Sequence, residues 1–318
     1  MSNFMNLIWN EQIKLYAQKS TWVMFIVILA IAIGGGLLTK FMGEEADFKE
    51  YGDNWRTELQ EENAQLLAEM ENDEFIQSIN QPMIEENNYY LENDIKPAPY
   101  DGWEYVLENS VLSSLISLFT IVVAAGIISN EFKWGTIKLL LIRPISRTKI
   151  LFSKYLSVLV FALTLLLFLL VTSWMTGTVL FGLNGWNPSL VQRQIEGFVQ
   201  VGVFGEIVEA YGYSLVTLVM MATFAFMISA IFRSSGMAIG LAIFLMMAGN
   251  TIVVFFAQYD WAKYILFANT NLKQYVAGGM PINEDMTLTF SVVVLLVYFV
   301  VFLGAAWTAF TKRDIAGQ

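Results

Sequence analysis

The residues best equipped for chemistry lie together between positions 129 and 154: Glu131, Lys133, Lys138, Arg143, Arg147, Lys149 and Lys154, with Gly135 and Pro144 among them. One carboxylate among six cations, interrupted by glycine and proline, suits polar docking and a shaped surface better than bond-making. Bond-making chemistry has little to draw on elsewhere. The chain has no histidine and no cysteine, which removes the commonest general base and metal ligand along with thiolate and disulfide chemistry. Hydroxyls are plentiful in the apolar stretches (Ser117, Thr120, Thr164, Thr172, Ser173, Thr217, Thr223, Thr251), yet no base stands near them in sequence. They read as helix-to-helix hydrogen-bonding groups worth about 1 kcal/mol each. No catalytic residue, cofactor ligand or metal ligand is assigned, and the chain is not expected to be an enzyme.

The elements that must position the 129–154 segment are membrane helices. Of 318 residues, 56% are hydrophobic and 14% charged, a composition for which the lipid bilayer is the main solvent. Six proline-free apolar runs, at 22–38, 111–128, 155–181, 213–232, 237–257 and 288–310, are long enough to cross about 30 Å of hydrocarbon as helices. None of these runs contains Asp, Glu, Lys or Arg. Coupling to protons or sodium, or a voltage sensor, would need such groups inside the spans. The expected fold is therefore an all-α integral membrane protein with six transmembrane helices.

Charge placement orients it. With both termini cytoplasmic, the inside carries eleven Lys and Arg residues, and the short outside loops carry only Arg193, Lys263 and Lys273. The net charge of −10 belongs largely to one loop, since nineteen of the 28 acids lie between Lys40 and Glu108. The resulting order is an interfacial helix at 1–20 and a first span at 21–39, read as uncleaved because no small-x-small site follows it. A large acidic extracellular loop at 40–107 and a second span at 108–128 come next, then a cytoplasmic elbow at 129–154 and a third span at 155–181. An extracellular interfacial helix or irregular lid at 182–212 precedes spans at 213–232 and 237–257, joined by a turn at 233–236. An external or re-entrant stretch at 258–287, the last span at 288–310 and a cytoplasmic tail at 311–318 complete it. In the acidic loop, Trp55, Leu59, Leu66 and Met70 predict one amphipathic helix.

In the elbow, Ser129 and Asn130 are placed to cap a short helix starting near Glu131, which Gly135 interrupts; Pro144 ends a second piece and Ser146 caps the helix entering the third span. Gly236 and Gly240, and Gly34 with Gly35, have the spacing that lets helix backbones approach, and so mark a candidate dimer seam. Phe119, Phe224, Phe244 and Asn250 are candidates for the wall of an apolar, aromatic substrate cavity, suited to lipids, lipophilic drugs or amphipathic peptides.

Glu131, Gly135-Thr136, the run Leu139 to Ile142, and Pro144-Ile145-Ser146-Arg147 followed by Lys154 resemble the segment between the second and third spans of ABC type-2 transporter permeases. The resemblance extends over nearly the whole chain, including the LFANTNL stretch after the fifth span and the ending Thr311-Lys312-Arg313-Asp314. It implies a permease that works as a pair in the bacterial plasma membrane, with the elbow docking two copies of a separate ATPase subunit. Glu131 and Arg147 would make polar docking contacts, with Thr136, Arg143 and Ser146 beside them. Phe132 and Ile137 would be buried in the partner's cleft, and Gly135 and Pro144 would give the elbow its shape. No GxxxxGK[ST] loop is present, so ATP and magnesium would sit on the partner. The large first loop is similar to the branch exporting amphipathic peptides and drugs, which implies outward transport of such a substrate; no nucleic acid is involved. The rival expectation is a membrane sensor or immunity protein that binds a toxic peptide without moving it.

Overall fold

The computed structural model describes residues 2–43, 49–70, 74–137, 145–194, 197–275, 279, 281–283 and 285–312. Helix α1 (Ser2–Tyr16) leads into α2 (Lys19–Met42), the first of six helices long and apolar enough to span a membrane. Helices α3 (Trp55–Glu69) and α4 (Glu74–Glu92) make a hairpin, and α5 (Gly102–Glu108) continues through a 3-10 turn, Asn109–Leu112, into α6 (Ser113–Lys133). Then come α7 (Arg147–Phe181), strands β1 (Ser189–Gln194) and β2 (Gly197–Gly202), α8 (Val203–Phe232) and α9 (Ser235–Phe256). A short helix α10 (Leu266–Thr270), flanked by 3-10 turns at Asp260–Tyr264 and Leu272–Tyr275, precedes α11 (Leu288–Lys312). The long helices alternate in direction. One end of the bundle thus gathers α1 and the link from α6 to α7, and the other gathers α3–α5, the β-hairpin and α10.

The core lies where α6, α7 and α8 meet, around Ile116, Ile121, Phe161, Leu165, Leu218 and Phe226. Polar groups hold these helices in register, as expected where lipid removes most of the hydrophobic drive for association. Ser229 Oγ donates to the Ala125 carbonyl at 2.6 Å and accepts from Ser129 N–H, while the hydroxyls of Tyr155 and Thr223 lie 2.7 Å apart. Helix α2 buries a single stripe of Thr21, Met24, Ile28, Ala32 and Gly36, half-buries Phe25 against Phe161 and Phe168, and leaves most of its other apolar side chains exposed, the pattern of a helix at a bundle's rim. At Gly36 a Cβ would come within 2.8 Å of Leu180, so glycine sets the approach of α2 to α7.

Several expectations require correction. Segment 182–212 is neither an interfacial helix nor an irregular lid: alternating Val191, Val199 and Val201 pair as an antiparallel hairpin, Ser189 against Gly202, and α8 begins ten residues before position 213. The fold is thus helical with one small β-hairpin. Helices α7 and α8 run 35 and 30 residues. At 1.5 Å per residue both exceed the hydrocarbon thickness, so their first turns stand outside the apolar zone. The acidic loop holds α3, α4 and most of α5 rather than one helix: α3 bears Trp55 and Leu59 as buried residues, and the α3–α4 seam includes an amide cluster, with Asn87 Nδ2 donating to Asn63 Oδ1 at 2.9 Å and Asn63 Nδ2 to Asn88 Oδ1 at 3.0 Å.

Candidate functional site

The largest polar cleft among the described cavities lies at the α1 end, about 470 Å³, lined by Leu7, Asn10, Glu11, Ile13 and Lys14 of α1, by Glu131 and Thr136, and by Ile145, Ile150 and Ser153. Its floor is a four-charge node. Lys154, only 1% exposed, donates to Glu11 Oε2 at 2.7 Å and to Glu131 Oε1 at 2.9 Å. Lys14 reaches the same two carboxylates at 2.9 and 3.3 Å, but its side chain is 53% exposed on the cleft rim. Thr136 donates its hydroxyl to the remaining Glu131 oxygen.

Each partner arrives there for a local reason. Ser146 caps α7, its Oγ accepting from Lys149 N–H, and two turns later the buried face Ile150, Leu151, Ser153, Lys154, Tyr155 and Val158 turns inward, so Lys154 falls on the packed side. Gln12 Nε2 donates to the Ser157 carbonyl at 2.8 Å and fixes α1 across α7, placing Glu11 over the lysine. Two cations and two anions balance, so the burial of Lys154 is compensated; removing either partner type would strand a charge. Burial works against the Lys14 charge, but the hydrogen bond and charge of Glu11, joined by those of Glu131, outweigh it and hold the ammonium above its ordinary value.

The elbow departs from expectation in its first half. No new helix starts at Glu131: α6 continues through Ser129 and Asn130 to Lys133, because Ser129 Oγ donates back to the Ala125 carbonyl at 2.6 Å instead of capping. Gly135, with φ +69°, ends the helix in the left-handed conformation that glycine tolerates. Glu131 faces the interior, Ile137 is buried within the chain, and Phe132 lies under the Arg233 guanidinium, 4.5 Å from the ring centre. Within the protomer Ile137 is thus buried, Phe132 half-buried, and Glu131 turned toward the node while still lining the cleft. Arg147 donates to the Thr311 carbonyl at 3.1 Å and so fastens the start of α7 to the end of α11. Arg143 and Pro144, and the run 139–142, lie outside the described residues.

The other assignments scatter. A Cβ at Gly35 would lie 3.4 Å from the Tyr105 hydroxyl of the same chain, while Gly34, Gly236 and Gly240 have open space beside them. Phe119 packs beside the core and Phe224 is buried against Phe302, their rings 5.2 Å apart; Phe244 and Asn250 face outward from α9. The four do not converge on one chamber, because the outer faces of membrane helices are as aromatic as their inner ones. Sequence reasoning missed Glu11 and Gln12. Their available signal was a polar pair between Ile8 and Leu15 on a short amphipathic helix, but its partners lie 143 and 145 residues away.

Six helices in one bundle, each long and apolar enough to cross a membrane, mark a multi-pass membrane protein. The chain belongs to the DUF2705 family, described as proteins of unknown function, whose model matches residues 74–316. It is 42% identical over 316 residues to the uncharacterized protein YhcI of Bacillus subtilis (strain 168), covering 98% of this chain and 99% of that protein. It is 30% identical over 213 residues to the uncharacterized membrane protein YdbK of the same organism, covering 66% of this chain and 82% of that one.

Proposed function

We propose that this chain is the membrane permease of an ATP-driven exporter for hydrophobic or amphipathic molecules, and that a separate ATPase seats in the α1-end cleft. The observation that carries this reading is the node at Lys154. It welds α1, the end of α6 and the start of α7 around one open polar cleft, so a push on the cleft moves three helices together. A membrane protein without a motor of its own needs such a joint. The α1 end also carries the larger share of short-loop Lys and Arg, which makes it the cytoplasmic face where ATP is available. Thr136, Lys14, Asn10 and Ile13 then meet the ATPase directly, whereas Glu131 acts by holding the cleft's shape.

A second copy covers the outward face of α9. Asn250 is exposed there on a helix otherwise fit for hydrocarbon, and an amide facing lipid is costly. Gly236 and Gly240 leave room for a close approach on the same helix. ATP-driven closure of two ATPase subunits would draw the cleft-bearing ends together and open the permease seam toward the outside.

The test uses the full chain co-expressed with a P-loop ATPase sought among the neighbouring reading frames. Asn10→Arg and Ile13→Asp alter exposed cleft residues outside the ion pairs. Both variants should lose co-purification and substrate-stimulated ATP hydrolysis by about tenfold or more while keeping the wild-type melting temperature. Full retention of both properties would sink the docking assignment. Protection against a toxic peptide that survives deletion of the ATPase gene would favour the sensor or immunity reading instead.

A further inference from the structure

At the opposite end of the bundle a cavity of about 230 Å³ is lined by Glu206, Glu209 and Tyr213 from the first turns of α8, Gln192 of β1, and Lys273 of the 3-10 turn. Neither Glu206 nor Glu209 is ion-paired among the described residues, and Tyr213 Oη donates to Glu209 at 2.7 Å. Gln192 Oε1 is shut off from solvent and accepts from no donor in the protein. An occluded amide oxygen without a donor is a cost that a bound donor would remove. The cavity therefore offers two carboxylates and an amide oxygen against a single ammonium, and what it lacks is a cationic donor.

Directly along the same helix face the chemistry changes. Glu209, Tyr213, Val216 and Met220 succeed one another at helical spacing, and Val216 and Met220 line a groove of about 390 Å³ closed by Leu272, Leu295 and Phe299, with no polar surface. Leu272 lines the groove and its neighbour Lys273 the cavity, so the two chambers flank this turn. From Glu209 to Val216 the helix rises about 10 Å, the step from the projecting turns of α8 into its apolar length.

We propose that cavity and groove together bind a cationic amphiphile: an organic molecule with an ammonium or guanidinium head among Glu206, Glu209 and Gln192 and an apolar body along Val216, Leu295 and Phe299. The combined space matches that of ordinary small-molecule sites. Lys273 opposes the head and keeps the affinity moderate, which a cargo that must leave requires. The identification of this amphiphile as cargo rests on the exporter reading; the binding itself does not.

The experiment is calorimetric titration of the full-length protein, in phosphatidylcholine nanodiscs without ATPase or ATP, with dodecylguanidinium, empty discs serving as the blank. Glu206→Gln with Glu209→Gln should weaken binding about tenfold, and Val216→Trp, which fills the groove, by a similar factor. Lys273→Gln should tighten binding several-fold, a gain that misfolding cannot produce. Dodecyl sulfate should not compete. Equal binding by wild type and the double glutamine variant, weaker binding after Lys273→Gln, or competition by dodecyl sulfate would overturn the proposal. Because no ATPase is present, such a failure leaves the docking cleft untouched, and loss of the docking reading leaves this binding untouched.

Discussion

The two ends of the bundle solve the same problem, holding helices together with buried polar groups, by opposite means. At the α1 end the knot is ionic and opens onto a cleft. At the other end it is neutral and closed: Asn269, fully buried, donates to the carbonyls of Lys263 and Ile265 at 2.8 and 2.9 Å and accepts from Ser291 at 2.7 Å. Ser291 in turn meets Tyr275, Gln274 donates to the Ala268 carbonyl, and Thr217 donates to the Thr270 carbonyl. A neutral knot with its donors and acceptors matched has nothing to exchange with a partner. The ionic knot has a rim member, Lys14, that is half in water and can trade partners.

Breaking each knot measures the contrast. The largest effect is expected from Lys154→Met, which leaves Glu11 and Glu131 facing each other without their buried cation. A loss of about 3–5 kcal/mol, seen as loss of folded protein in size-exclusion and thermal melts, follows from stranding a buried charge. Adding Glu11→Gln and Glu131→Gln to that variant should restore much of the loss. At the closed end, Asn269→Ala should cost about 1–3 kcal/mol by orphaning the Lys263 and Ile265 carbonyls, in the same melt. Beside that knot Gly249 lies under the Phe267 ring with no room for a Cβ. Gly249→Ala should cost about 1–3 kcal/mol and leave the ion pairs of the α1-end cleft unchanged.

The smallest effect sharpens the comparison. Lys14→Met should lower stability by less than about 1 kcal/mol, as for other exposed ion pairs. Its pH dependence has a definite sign. The folded-state pKa of Lys14 is raised above 10.5, so its contribution is fully present below that value and fades as pH rises through the raised one. Melting temperatures of wild type and Lys14→Met should therefore differ at pH 9 and converge in strongly alkaline solution. A constant difference across that range would assign the contribution of Lys14 to packing alone.

The sequence displayed the six spans because twenty apolar residues in a row have few other readings, and it displayed the Ser146 cap and the helix-ending role of Gly135 because both are local. The node was hidden for a physical reason. A lysine at a membrane edge looks the same whether it snorkels to water or turns inward, and only the phase of α7 against α1 decides between them. The β-hairpin was hidden by its length, since six-residue strands beside glycines carry a weak periodic signal. The amide seam of the α3–α4 hairpin was hidden because asparagine reads as a solvated surface residue until a second helix covers it.

The span from Gln12 to Ser157 sets the order in which the molecule can be built. Helix α1 is made before α7, so the hydrogen-bonding partner of Gln12 and the buried counterion of Glu11 are synthesised about 140 residues later, leaving Glu11 only its neighbour Lys14. Until then α1 has only its exposed stripe of Met5, Trp9 and Ile13 to hold it, which favours a wait at the lipid surface. Closing the joint therefore requires two segments about 140 residues apart in the chain to meet after both have been made.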